Sequence, residues 1–206
     1  MRKFLTGLAS AYALAACTTT APTKTVAFAD GAVIATTPSG YCVDGVSSKL
    51  GQGFAVMAPC TTLGESADTP EVIGVATVQV GPPQSGAVTD GEIALRDFLI
   101  TDTGTSLLSV DGNGDDVTIL STQAFNSQVM VHFTDKGEPP LPGLQREEWR
   151  AFTDIDGRLV TIAVRGLATA PLQDGPGAGL LKLILAGVKA AASAAPETAL
   201  EDDRVA

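Results

Sequence analysis

Trp149-Arg150-Ala151-Phe152-Thr153-Asp154-Ile155 and Arg158-Leu159-Val160-Thr161-Ile162-Ala163-Val164-Arg165 flank the dipeptide Asp156-Gly157. Asp-Gly suits a two-residue type I′ turn, whose twist matches that of paired strands. The flanks are rich in β-branched and aromatic residues, so the stretch reads as a β-hairpin. Val160, Ile162 and Val164 occupy one face of the second strand, and Thr161, Ala163 and Arg165 the other. Trp149, the only tryptophan, is expected in the core or at its edge.

Downstream, after Gly166, a loop containing Asp174-Gly175-Pro176-Gly177 precedes a helix expected over 178–194. Leu181, Ile184, Leu185 and Val188 form its apolar stripe, with Lys182 and Lys189 set apart. Docking on the sheet is the expected use of that stripe, ahead of contact with lipid or a partner. Upstream, Val117–Thr122 and Gln128–Thr134 alternate around Gln123-Ala124-Phe125-Asn126 and read as a second hairpin. Thr89 or Asp90 can cap a helix with Glu92 in its first turn. Leu95, Phe98 and Leu99 give that helix one apolar face, and it is expected to end by Gly104. Earlier still, Val26–Ala35 is a small hairpin or one strand after a turn; Tyr41–Val43, Phe54–Ala58 and Val72–Val80 are strand candidates.

The order is therefore strands, a helix, two hairpins and a helix. It predicts an α+β domain over residues 25–195: a single antiparallel sheet covered by helices, with a C-terminal helix after a β-hairpin. The element order resembles the PsbP/Mog1-like α+β sandwich, in which a late hairpin is followed by a terminal helix across the sheet. Residues 196–206 read as an acidic, disordered tail.

The amino terminus carries an address. Met1-Arg2-Lys3 is basic, Phe4 to Leu14 is mainly apolar, and Leu14-Ala15-Ala16-Cys17 follows. The apolar run is well short of the roughly 20 residues a spanning helix needs. Leu-Ala-Ala-Cys resembles the lipobox of bacterial lipoproteins at all four positions. The resemblance implies a cleaved signal peptide at 1–16, a diacylglycerol thioether on Cys17 and an acylated new amino terminus. Three acyl chains would anchor the protein stably. Residues 17–24, with Pro22, read as a lipidated tether. In Gram-negative lipoproteins an aspartate after the cysteine retains the protein in the inner membrane. Thr18 stands there instead, which implies an outer-membrane lipoprotein facing the periplasm. With Cys17 taken by lipid, Cys42 and Cys60 remain as a pair expected to bridge in an oxidising envelope; two buried free thiols are the alternative.

The whole chain has 13 basic and 23 acidic side chains, a net charge of −10. Removing Arg2 and Lys3 with residues 1–16 leaves 11 basic against 23 acidic, near −12, on 190 of the 206 residues. Such a surface disfavours nucleic acid and anionic headgroups, so membrane attachment falls to the lipid.

No convergent catalytic set stands out. Asp111-Gly112-Asn113-Gly114-Asp115-Asp116 offers Asp111, Asn113 and Asp115 as calcium ligands, but the sixth position is Asp116, the twelfth is Thr122 and a strand follows. A solvated turn is the better account. His132, the only histidine, sits in a strand between Val131 and Phe133 with no nucleophile marked beside it. Zinc needs three protein ligands, which one histidine and a bridged cysteine pair do not supply without carboxylates. Gly104-Thr105-Ser106-Leu107-Leu108 lacks the second glycine of a nucleophile elbow. Gly175-x-Gly177-x-Gly179 fits neither phosphate-loop spacing and reads as a tight approach to a helix. Pro139-Pro140-Leu141-Pro142 reads as a stiff surface loop rather than a polyproline ligand. The expected role is non-enzymatic and without a cofactor: a lipid-anchored binding or assembly component of the cell envelope with a possible envelope protein partner. A small-ligand-binding lipoprotein is the alternative, and a hydrolase using His132 the second.

Overall fold

Asp156 and Gly157 both adopt positive φ, 51° and 68°, and close the hairpin of β8 (Glu147–Ile155) and β9 (Arg158–Arg165). This hairpin lies at the centre of the computed structural model, which describes residues 23–89 and 91–192. The signal peptide 1–16, Cys17 with the tether up to residue 22, the Asp90 cap and the tail 196–206 lie outside the described residues.

On one side β9 pairs with β5 (Val75–Val80), then β4 (Phe54–Pro59) and β3 (Tyr41–Val43); on the other, β8 pairs with β7 (Gln128–Asp135) and β6 (Val117–Phe125). All six ladders are antiparallel, giving a seven-stranded sheet. Asn126 and Ser127, both at positive φ, make the β6–β7 turn, so these strands run longer than their alternation suggested.

The expectation of a single sheet is overturned. A second, three-stranded antiparallel sheet runs β1 (Thr25–Phe28), β2 (Val33–Thr36), β10 (Val188–Ala190). Val26–Ala35 is thus the small hairpin, with Ala29–Gly31 as its turn. The partner strand comes from sequence expected to be helix. The last helix, α3, spans Asp174–Ala186 rather than 178–194. It ends because Gly187 lies against β2: a Cβ there would come within 2.1 Å of the Thr36 carbonyl oxygen, and Gly187 O accepts from Thr36 N at 3.0 Å. Val188, placed on the helical stripe by its spacing, is buried in a strand instead. At its other end α3 takes in Pro176, tolerated because first-turn N–H groups lack helical partners.

The helix expected from Thr89 or Asp90 to Gly104 is two helices, α1 (Glu92–Leu99) and α2 (Asp102–Leu108). Thr101 starts the second by accepting from Gly104 N at 3.1 Å through its side-chain oxygen. Only glycine fits at 104, where a Cβ would sit 2.0 Å from the Phe98 carbonyl oxygen. Leu99 is buried and Leu95 packs beneath it, whereas Phe98 turns outward.

Strand parity sorts the large sheet into two faces. Val160, Ile162 and Val164 meet Ala76, Val78, Trp149 and Ala151 in the larger core, which α3 and the small sheet cover. The opposite face is covered at the β6–β7 end by α1 and α2 over Val129, Val131 and Phe133. Neither helix reaches the β4–β5–β9 end of that face. Cys42 and Cys60 form a disulfide at the sheet's β3 edge, and the buried Tyr41 hydroxyl donates to Val72 O at 2.8 Å. Burial, partly offset by the Gly74 N–H donated to the phenol oxygen, pushes the Tyr41 pKa up to about 12.

Asp154 ties the chain leading to α1 onto β8. Its carboxylate accepts from Ala87 N at 3.0 Å, Val88 N at 2.8 Å and Thr89 N at 2.9 Å. Partial burial pushes its pKa up, but the backbone donors of Thr89, Val88 and Ala87 together outweigh it and hold it below the ordinary carboxylate value. A depressed folded pKa gives stability that is present above the unfolded value, near 4, and lost as pH falls through the folded value. Asp154→Asn is therefore expected to cost about 1–2 kcal/mol at pH 7. Urea melts should show that difference shrinking toward pH 2.5; an equal difference at both pH values would contradict this assignment.

Candidate functional site

The uncovered end of the sheet forms a groove of about 520 Å³. Phe54, Val56, Val75, Leu141 and Leu144 give it apolar walls, and Thr77, Gln79, Lys49, Arg150 and Arg165 its polar groups. The Pro139–Pro142 loop supplies one rim through Pro140 and Leu141. The volume falls within the usual range for small-molecule sites.

An Arg–Glu–Arg network is built into the groove wall. Glu148 and Arg150 are two residues apart on β8 and so share a face, and Arg165 lies across from Glu148, one step beyond the Trp149–Val164 pair. Glu148 and Arg165 are only 2% and 4% exposed. Arg165 Nε donates to Glu148 Oε2 at 2.7 Å, and its Nη1 donates to the Gln145 carbonyl at 3.0 Å. Arg165 Nη2 lies 2.5 Å from the same carboxylate oxygen without hydrogen-bond alignment, so its contribution there is Coulombic. Arg150 Nε donates to Glu148 Oε1 at 2.5 Å while its guanidinium lies 5.2 Å from the Phe133 ring centroid. Lys49 adds a third positive charge, so the lining holds three cations and one carboxylate in a chain of net charge −10. Glu148 is held by both arginines, which leaves it a counterion rather than a free base. Close by, the buried Gln145 accepts from Leu172 N at 2.6 Å, and its Nε2 has no hydrogen-bond partner among the described residues.

A second constellation occupies the opposite face. Glu147 precedes Glu148, so strand parity sends the two carboxylates to opposite sides of the sheet. His132 Nε2 lies 2.6 Å from Glu147 Oε1, and its ring stacks on Trp149 with centroids 4.4 Å apart at 13°. Asp174, the first residue of α3, completes a set whose ligand atoms all lie within 4.8 Å of one another. A cavity of about 280 Å³ opens beside it, lined in part by Ser121, Gln123, Trp149 and Lys182.

The remaining sequence candidates stay apart from both places. Asp111 accepts from Ser109 Oγ at 2.7 Å, and Asn113 accepts from Asp115 N and donates to Asp116. Two of the three proposed calcium ligands, Asp111 and Asn113, thus have their side chains engaged within their own turn, and Asp115 takes part there through its backbone N–H. Thr105, Ser106 and Leu107 lie in α2, and Gly177 lies against Trp149. Neither Glu148 nor Arg150 stands out in the sequence, because their strand begins two residues before the Trp149 that marks it. The available signal was the alternation of Glu148 and Arg150 opposite an Arg165 already placed on the outer face.

No protein-family model matches the chain, and no curated protein sequence matches it. Among solved structures, the Ran-binding protein Mog1p of Saccharomyces cerevisiae is similar with a TM-score of 0.48 and 12% identity, over 82% of this chain and 95% of that one. A Mog1 mutant matches with a TM-score of 0.49 and 11% identity, over 80% and 94%. The cyanobacterial PsbP of Synechocystis sp. PCC 6803 matches with a TM-score of 0.43 and 14% identity, over 89% and 99%. Mog1 and PsbP are the two proteins whose element order the chain resembles.

Proposed function

We propose that this chain is a lipid-anchored cell-envelope protein, held at the outer membrane through Cys17 and facing the periplasm, with a non-catalytic binding or assembly role. The groove beside Arg165, Glu148 and Arg150 is its binding site. The observation that carries this reading is the groove's makeup: apolar walls around a pre-set charge network with a surplus of positive charge. Such a site takes an apolar body bearing an anionic group. Its one carboxylate is already paired with two arginines, which supports binding over chemistry. The lipobox Leu14-Ala15-Ala16-Cys17 supports the address.

The test is photo-crosslinking in intact cells followed by membrane fractionation. A crosslinking residue replacing Leu141, on the groove rim, should give discrete adducts; one replacing Leu183, exposed on α3, should not. Cys17→Ser should move the protein to the soluble fraction. Adducts from position 183 with none from 141 would overturn the groove as the site, and an unchanged membrane fraction for Cys17→Ser would overturn the anchor.

A further inference from the structure

We propose that His132, Glu147 and Asp174 form a zinc site whose fourth coordination position opens into the 280 Å³ cavity beside them. It lies on the other face of the sheet from the groove and does not depend on the binding role assigned there. The donor set is one imidazole nitrogen and two carboxylate oxygens. Zinc accepts both kinds, and three protein ligands with one open position is the pattern of its reactive sites.

Three elements converge to make the set. His132 on β7 and Trp149 on β8 are register partners, and the ring stack fixes the imidazole plane. Glu147, two residues before Trp149 on the same face, reaches Nε2 diagonally across the ladder. Asp174 arrives with α3, and Gly177 decides how closely. A Cβ at 177 would lie 2.5 Å from Trp149 ring atoms, so only glycine lets the helix rest on that ring. The residue one turn earlier is then brought to the imidazole.

Charge favours an ion there. Two carboxylates share one imidazole, against one lysine, Lys182, on the cavity lining, and Asp174 has no ion-pair partner among the described residues. At 2.6 Å, Nε2 and Oε1 are within hydrogen-bond distance of each other. Binding tetrahedral zinc requires the pair to open to about 3.3 Å, given metal–ligand distances near 2.0–2.2 Å. The half-exposed Glu147 side chain can make that shift, whereas the stacked imidazole stays in place. His132 and Asp174 both line the cavity, so the remaining position faces space that a water or an incoming donor can occupy.

Trp149 is the only tryptophan and stacks on the imidazole, so its emission reports on changes at this site. The experiment titrates zinc chloride into the untagged, metal-stripped full chain, following tryptophan emission and bound metal together. One equivalent should bind saturably with a parallel change in emission, and magnesium chloride should not reproduce it. Asp174→Asn, at an exposed helix start that leaves the fold intact, and Glu147→Gln should each weaken zinc binding roughly tenfold or more, the scale on which even supporting residues tune metal sites. Zinc uptake with no change in emission would mean scattered surface carboxylates and would overturn the proposal. Wild-type affinity in Asp174→Asn, an equal response to magnesium, or no uptake at all would overturn it too.

Discussion

Glu148→Gln should cost about 3 kcal/mol of folding stability, toward the lower end of the 3–5 kcal/mol for removing one partner of a buried ion pair. The substitution keeps the side chain's shape and removes its charge. Arg165, 4% exposed, then remains inside the protein without a counterion. The Gln145 carbonyl at 3.0 Å and the Arg146 carbonyl at 3.4 Å still accept from its Nη1, which places the cost at the lower end. Arg150 adds less, because its side chain, 17% exposed, keeps some access to water where Arg165 has almost none. With a urea m-value on the order of 2 kcal/mol/M, the midpoint should fall by about 1.5 M. A double change of Glu148→Leu with Arg165→Met should recover most of the loss, since an apolar pair of similar volume avoids desolvating two charges. A midpoint shift below about 0.5 M for Glu148→Gln would show that Arg165 does not need its partner and would remove the fixed charge network from the groove.

Breaking the Cys42–Cys60 bridge is the second large effect. The two cysteines are 18 residues apart, and a loop of that length restricts the unfolded chain by about 3 kcal/mol. For a chain of this size that corresponds to a melting temperature lower by about 6–12 °C. The loss should fall first on β3, whose ladder with β4 covers only Tyr41–Val43 and whose other side carries, among the described residues, a single bridge from Thr23 to Val43. Hydrogen exchange in Cys42→Ala/Cys60→Ala should therefore show the β3 amides losing protection while those of β8 and β9 keep it. Melting curves indifferent to reductant would show that the bridge adds nothing to the edge it spans.

How much of this was legible beforehand depended on distance along the chain. The Asp156-Gly157 hairpin was readable because turn chemistry and two-residue alternation are local. The α+β class and the Val117–Asp135 hairpin were readable for the same reason. Val26–Ala35 left a hairpin and a single strand open, and the two-sheet structure chose the hairpin. The helix starting near Thr89 was sound in its first half and failed at Thr101. Its division depends on a glycine, Gly104, whose value appears only when the Phe98 carbonyl lies against it.

The sites followed the same division. His132 was visible as a lone histidine in a strand, but its partners are 15 and 42 positions away and come from two other elements. Glu147-Glu148 is an ordinary acidic dipeptide until the register of β8 sends one carboxylate to His132 and the other to Arg165.

By itself the sequence determined the central hairpin, which face each residue of its second strand takes, the strongly acidic surface and a lipobox-like amino terminus, because each rests on adjacent residues or on composition. Tertiary structure decided that there are two sheets, that α3 stops at Gly187, and that one face of the large sheet stays open as a groove. Those outcomes turn on backbone approaches such as Gly187 to Thr36 and Gly177 to Trp149. Each is a contact between segments far apart in the chain, with no local pattern to announce it before the segments meet.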